Sequence, residues 1–280
     1  MVTEPLDRLR RAPLELLGRI VESSNAIFLV KVGEVGDDAE ATDGDAGPLG
    51  DVGAEVCVED TGWDDDEEDQ DDDDDDESSA SSLPPGLKGV YKPQRGERPL
   101  WDFPEGLYRR EIAAYELAVA LGWDLIPATV ERDDVLGIGS VQRFVEADFS
   151  EHYFTLRDED RYDAQLRRMC LFDLLVNNTD RKAGHVLVDA EGHIWGIDNG
   201  LCFSTEARLR TVIWDYADEP IPDGLMDAVV GLLDRGLPDS VADHLLPEEI
   251  GRLDRRARMV RSSGRFPHDP TGRAIPWPLV

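Results

Sequence analysis

Asp180 and Asp198, with Lys182 and His185 between them, are the residues whose types and spacing best suit chemistry. They occur in Asn177-Asn178-Thr179-Asp180-Arg181-Lys182-Ala183-Gly184-His185, Val186-Leu187-Val188-Asp189 and Ile194-Trp195-Gly196-Ile197-Asp198-Asn199-Gly200. That order reads as a polar loop, a tight β-hairpin and a second polar loop. With Ala190-Glu191-Gly192-His193 as the turn, Val186 faces Ile197, Val188 faces Trp195, and His185 faces Asp198 just past the strand ends. Directly opposed residues have Cβ atoms roughly 5 Å apart. Two metal-ligand types therefore stand side by side, with Asp180 arriving from the preceding loop. A carboxylate at 180 can orient an acceptor hydroxyl and take its proton, while Lys182 neutralises a transferring phosphoryl group. Asp198 is a hard oxygen donor suited to Mg²⁺ bridging nucleotide phosphates. His185 suits Mn²⁺ better than Mg²⁺. The plain alternative is a structural hairpin flanked by an Asn-capped turn and an Asp-Asn-Gly turn.

A second pair belongs to the same chemistry. Lys92 ends the apolar strand Leu87-Lys88-Gly89-Val90-Tyr91-Lys92, where an alternating Val90–Lys92 face points inward. A lysine there needs an anionic partner or a shifted pKa. Glu111 lies near the buried side of a helix expected from Glu105 to Leu121, closed by Gly122, with Tyr108, Ile112, Tyr115 and Val119 as its apolar stripe. A strand lysine held by a helix glutamate positions the α- and β-phosphates of a nucleotide. Ser23-Ser24-Asn25 sits between two strand-like segments, where hydroxyls and backbone N–H groups can cover phosphate without glycines. Gly137-Ile138-Gly139 lacks a third glycine in register and no GxxxxGK[ST] occurs, so the Rossmann and P-loop readings fail. Asp173, a lone acid in an apolar helix, is expected to be structural support, bonded to the loop backbone after Val176.

The elements that must position these groups follow from pattern. Ala26 to Val30, Leu87 to Lys92, Ala128 to Val130 and Ser140 to Val145 are strand-like; Ala164 to Val176, Asp223 to Arg235 and Pro247 to Arg261 are helical; Phe266 to Val280 is a Pro-rich extended tail. Between Gly36 and Ser82 stand 22 Asp or Glu and no Lys or Arg, leaving about −10 of the formal −32 for the remaining chain. Charge at that density cannot bury enough apolar surface to offset ordering entropy, so residues 36–82 are expected to be a disordered loop-out able to contact basic partners. The acidic balance argues against nucleic-acid binding. Cys57, Cys170 and Cys202 form no CxxC, and no apolar run approaches the roughly 20 residues of a membrane helix, so a reducing cytoplasm is expected.

Asn178-Thr179-Asp180-Arg181, Val186-Leu187-Val188 and Ile197-Asp198-Asn199-Gly200 resemble the catalytic and metal loops of the phosphatidylinositol 3-/4-kinase-like atypical kinases, and an actinobacterial branch of them in particular. They are also similar to the loops of HipA-type and secretory-pathway atypical kinases. The resemblance implies a two-lobed α+β kinase-like fold: a small lobe over residues 14–146, interrupted by the acidic insertion, a helical lobe over 147–262 and a tail over 263–280. It implies ATP with Mg²⁺ or Mn²⁺, Lys92 as nucleotide lysine with Glu111, and a hinge from Gln142 through Phe144 and Val145 to Glu146 gripping adenine. Asp180 and Asp198 become the catalytic and metal acids. The chain departs from the family at His185, where Asn is usual, and at Asn199, which replaces an aromatic. No basic lipid-binding segment follows, Arg208 and Arg210 being the nearest cations. The expected activity is phosphoryl transfer to a hydroxyl on a protein, metabolite or lipid, with AMP transfer or a nucleotide-binding pseudokinase as alternatives.

Overall fold

The computed structural model describes residues 3–20, 25–36, 55–56, 85–269 and 271–280. In chain order the elements are α1 (Thr3–Arg11), β1 (Leu14–Ile20), β2 (Ile27–Val32), β3 (Glu55–Val56), β4 (Lys88–Pro93), α2 (Leu107–Ala120), β5 (Thr129–Asp134) and β6 (Gly137–Arg143), then α3 (Tyr153–Leu156), α4 (Asp163–Val176), β7 (Val186–Val188), β8 (Ile194–Gly196), α5 (Asp223–Arg235), α6 (Asp239–Ala242) and α7 (Pro247–Ser263). Strands therefore dominate the first half and helices the second, as in a two-lobed α+β kinase-like fold. No helix among the described residues is long and apolar enough to cross a membrane.

The small lobe is a six-stranded sheet in the order β3-β1-β2-β4-β6-β5, antiparallel except where β3 joins β1 in parallel. Its alternation sorts side chains by face. Phe28, Val30, Tyr91, Val130 and Val141 enter one apolar cluster, closed by Leu9 of α1 and Ala12 just past its end. That helix was not foreseen; Arg132 of β5 anchors it by donating to Leu9 O at 2.8 Å and Ala12 O at 3.0 Å. Lys92, on the opposite face from Tyr91, looks into the cleft between the lobes.

The acidic stretch interrupts the link between β2 and β4, which are hydrogen-bonded neighbours: Val32 N–H donates to Leu87 O at 2.8 Å. Ser23, Ser24 and almost all of residues 36–82 lie outside the described residues. Within that stretch Glu55 and Val56 pair with Arg19 and Ile20 at the sheet edge.

Gly122, at φ +70°, closes α2 in a Schellman arrangement: Trp123 N–H bonds Ala118 O at 2.8 Å and Gly122 N–H bonds Val119 O at 2.9 Å. The helix starts two residues later than expected, at Leu107, and its apolar stripe is rotated. Tyr108 and Ile112 are buried, but Val119 is 53% exposed, and Ala114, Leu117 and Ala118 take the inner face. Two layers cover α2, the sheet on one side and the helical lobe on the other, so a single stripe does not describe it. Ala113, Ala114 and Leu117 sit in the same core as α4, α5 and α7. Phe266 is buried against Tyr216, with ring centroids 5.9 Å apart, and Leu279 O accepts from Ala183 N–H at 2.7 Å. The C-terminal segment thus reaches the loop that follows α4.

Candidate active site

Local chemistry builds the loop that follows α4. Asn177 ends α4 at φ +51°, a left-handed conformation that Asn tolerates better than most residues. Its side-chain amide donates to Ser204 O (2.9 Å) and Glu206 O (2.7 Å), fixing the loop that follows Asp198. Asn178 Oδ1 accepts the Asp180 N–H at 2.9 Å, a turn that presents the Asp180 carboxylate. Thr179 donates to Leu201 O through both its N–H and its hydroxyl. Two β-bridge-like bonds complete the frame, Arg210 N–H to Asn178 O (2.9 Å) and Arg181 N–H to Arg210 O (3.0 Å).

The hairpin exists, but one residue out of the expected register. Val186 pairs with Gly196, Leu187 with Trp195 and Val188 with Ile194. The cause is Asp189. Its Oδ1 accepts from the Glu191 and His193 N–H groups, and its own N–H donates to His193 O. Asp189 therefore pairs with His193 and leaves a three-residue loop in which Gly192 takes φ +78°. His185 O accordingly bonds Ile197 N–H at 3.0 Å instead of lying square to Asp198. The imidazole still reaches over the strand end, with Nε2 3.5 Å from Asp198 Oδ2.

Lys92 joins the lobes. Its ammonium lies 2.5 Å from Glu111 Oε1 and 2.9 Å from Asp198 Oδ1. Burial works against the charge, but Asp198 and Glu111 outweigh it and raise the lysine above its ordinary pKa. Lys92 in turn holds Asp198 well below the usual carboxylate range, against its burial. Gly139 makes this approach possible: a Cβ there would sit 2.4 Å from Lys92 O, so only glycine lets β6 pass. Across the cleft, Lys182 Nζ is 3.9 Å from Asp180 Oδ2. Burial pushes Asp180 up to about 6, with Lys182 opposing and Asp198 reinforcing the rise.

Burial pushes His185 down to about 4, so the ring is neutral. Lys182 N–H faces its Nδ1 at 3.4 Å, which assigns the ring proton to Nε2, pointing at Asp198. Among the described residues no group of three or more His, Cys, Asp or Glu could hold a metal by itself. Asp198 nevertheless fits a Mg²⁺-type ion, which commonly takes one or two carboxylates and completes its shell with phosphates and water. His185 fits only as the other tautomer.

The remaining expected residues divide. Asn25 Oδ1 accepts from Arg98 N–H at 2.9 Å, tying the β1–β2 turn to the loop after β4. Gln142 is buried with its amide on Thr129 Oγ1, so its side chain serves the sheet. Phe144 N–H bonds Lys88 O, while Val145 packs with Leu187 and Trp195 where the lobes meet. Arg208 is committed to Asp102 and Glu206 and stacked on Trp101. A cavity of about 540 Å³ opens elsewhere, beneath the β4–α2 loop, lined in part by Arg95, Arg98, Phe103, Leu107 and Ile138. Lys92, Glu111, Asp180, Lys182, His185 and Asp198 are not among its lining residues.

Three residues escaped sequence reasoning. Glu97 accepts the N–H groups of Gly106, Leu107 and Tyr108 (3.0, 2.9 and 2.8 Å), capping α2 from nine residues upstream, beyond any local capping pattern. Arg181 is wholly buried and forms a bidentate ion pair with Asp173, which is wholly buried too. Asp173 also accepts from Asn178 Nδ2 and Thr211 Oγ1, so its carboxylate is held by side chains rather than by the backbone after Val176. Asn199, expected only as a departure from pattern, is buried and hydrogen-bonded to both lobes.

The family described as Phosphatidylinositol 3- and 4-kinase matches residues 113–246. Protein Rv2133c of Mycobacterium tuberculosis is 38% identical over 228 residues, covering 68% of this chain and 81% of that protein. Among solved structures, the Helicobacter pylori proinflammatory kinase CtkA aligns at TM-score 0.41 with 12% identity, over 66% of this chain and 86% of that one. A hydra Fam20 structure with sugar aligns at TM-score 0.47 with 11% identity, over 92% and 86%. The chain belongs to one family with Protein Rv2133c, and its residues 113–246 match the family described as Phosphatidylinositol 3- and 4-kinase.

Proposed function

We propose that the protein transfers the γ-phosphoryl group of ATP to a hydroxyl acceptor with the help of a divalent cation. One observation carries the reading: Lys92 is bonded at once to Glu111 of α2 and to Asp198 of the loop after β8. A buried cation between two carboxylates from different lobes is the arrangement that grips nucleotide phosphates. In this reading Glu111 keeps Lys92 aimed while its ammonium passes from Asp198 to the α- and β-phosphates. Asp198, so released, would hold Mg²⁺ or Mn²⁺, and the Nε2–H of His185 keeps its carboxylate turned to the cleft. The cation would neutralise phosphate charge as transfer proceeds. Asp180 orients the acceptor hydroxyl and takes its proton, and Lys182 faces the transferring group. Val145, Leu187 and Trp195 offer the apolar contact that an adenine ring needs.

The deciding experiment follows label from ATP into acceptor, first the protein itself and then hydroxyl-rich peptides and lipid vesicles. Label from the γ position, lost in Asp180→Ala and Asp198→Ala variants that still unfold cooperatively, supports the reading. Label from the α position would replace it with AMP transfer on the same residues. Nucleotide binding without transfer of either label would make the protein a pseudokinase.

A further inference from the structure

We infer that Asn199 is a positioning residue for the metal acid. It joins the Lys92–Glu111 pair to the Arg181–Asp173 pair and so fixes the direction of Asp198. The inference rests on Asp198 being the metal ligand in the function proposed above.

Asp198 adopts φ +54°, a conformation that costs a non-glycine residue free energy and persists only where the surroundings enforce it. The enforcement comes from both lobes. Arg181 Nη1 donates to Ile197 O at 2.7 Å, just before Asp198, and Arg181 Nη2 donates to Asn199 Oδ1 at 2.8 Å, just after it. From the small lobe, Glu111 Oε2 accepts the Asn199 N–H at 3.0 Å while Oε1 holds Lys92. Asn199 Nδ2 contacts Gly196 O at 3.4 Å on the strand leading into the loop. One small amide thus ends two charged pairs that otherwise share no atom.

The chemistry of residue 199 matters because of what Arg181 needs. Its guanidinium is fully buried, and Nε, Nη1 and Nη2 all point at protein acceptors, among them Asp173, His185 O, Ile197 O and Asn199 Oδ1. Arg181 therefore has no arm left for a phosphate and serves to hold the loop. An apolar side chain at 199 would keep the backbone bond to Glu111 but remove one of the two acceptors of Nη2, leaving Asp173 Oδ1, and the tie to Gly196. The side-chain clamp from Arg181 would then act on Ile197 alone, with Glu111 holding only the Asn199 backbone N–H, and Asp198 could turn. An aspartate would keep the acceptor.

The test compares wild type with Asn199→Leu and Asn199→Asp, using Mn²⁺ titration by calorimetry in the presence of a non-hydrolysable ATP analogue, alongside thermal unfolding. Groups that orient a metal ligand typically carry 10–100-fold in metal affinity, so Asn199→Leu is expected to weaken Mn²⁺ binding by about tenfold or more. Asn199→Asp should stay within about threefold of wild type. Should the leucine variant not fold, Asn199→Ser shortens only the arm to Arg181 and is expected to weaken Mn²⁺ binding in the same direction. A lower melting temperature with unmoved Mn²⁺ affinity would show a merely structural role and overturn the inference. An aspartate variant that loses as much as the leucine variant would overturn it too. Wild type whose nucleotide affinity ignores Mn²⁺ would overturn the functional reading itself, and the inference with it.

Discussion

In the proposed function Asp180 must be ionised before it can accept a proton, and its burial sets the pH at which that happens. With its carboxyl raised to about 6, the group is protonated and inactive below that pH and ionised above it. Turnover is expected to rise with pH through about 6 and then level off; a limb near the ordinary aspartate value would refute this role. The same shift means that ionising Asp180 costs folded-state stability as pH rises through 6. Asp180→Asn is therefore expected to abolish transfer while raising stability at pH 7 by on the order of 1 kcal/mol, read by denaturant unfolding. His185 offers a second test. An asparagine there would place a hard oxygen beside Asp198 where the structure has an imidazole whose proton points at that acid. His185→Asn should lower the Mg²⁺ concentration for half-maximal activity several-fold, by roughly 1 kcal/mol of binding, and narrow any preference for Mn²⁺. An unchanged metal profile would mean that residue 185 does not face the ion.

At the scale of elements, α2 is the part whose position decides whether Lys92 is correctly held. Its first turn carries no acidic residue and no local side-chain cap, and Gly106 enters it at φ +84°. Glu97 supplies what is missing, binding three N–H groups that would otherwise be orphaned near the helix dipole. Glu97→Ala should cost about 1–2 kcal/mol of stability and raise the KM for ATP more than it lowers kcat. The physical reason is that a frayed first turn loosens Glu111 one turn further on. A stability loss without a change in KM would separate the cap from the nucleotide site. The ends of several elements were readable because end signals are local. Asn177 terminates α4, Gly122 closes α2, and α5 runs from Asp223 to Arg235 as its pattern indicated. The hairpin register was not, because the side chain of Asp189 chose between a three-residue and a four-residue turn. Asp189 was visible, but its capping of two N–H groups competes with pattern and is settled only when the turn closes.

Across the whole molecule, the acidic stretch is inserted where the fold can accept any length of chain. Val32 and Leu87 are already hydrogen-bonded neighbours, so a short glycine–serine linker replacing residues 37–84 would close a β2–β4 hairpin. That variant is expected to unfold cooperatively and to bind ATP as the full chain does; loss of cooperativity would show that more than the Glu55–Val56 edge pairing comes from the insertion. The sequence by itself determined which residue types stand at turns and chain ends: the two aspartates on loops flanking a hairpin, the lysine at a strand end, the glutamate on a helix. Those placements follow from local periodicity and turn chemistry, which neighbouring residues specify. Only the tertiary structure decided which charges were already spoken for. Arg181 saturates itself on Asp173 and the loop after β8, Arg208 on Asp102 and Glu206, while Lys92 lies between Glu111 and Asp198. A long side chain draws its partners from elements tens of residues away, so its role is set when the lobes pack and not before.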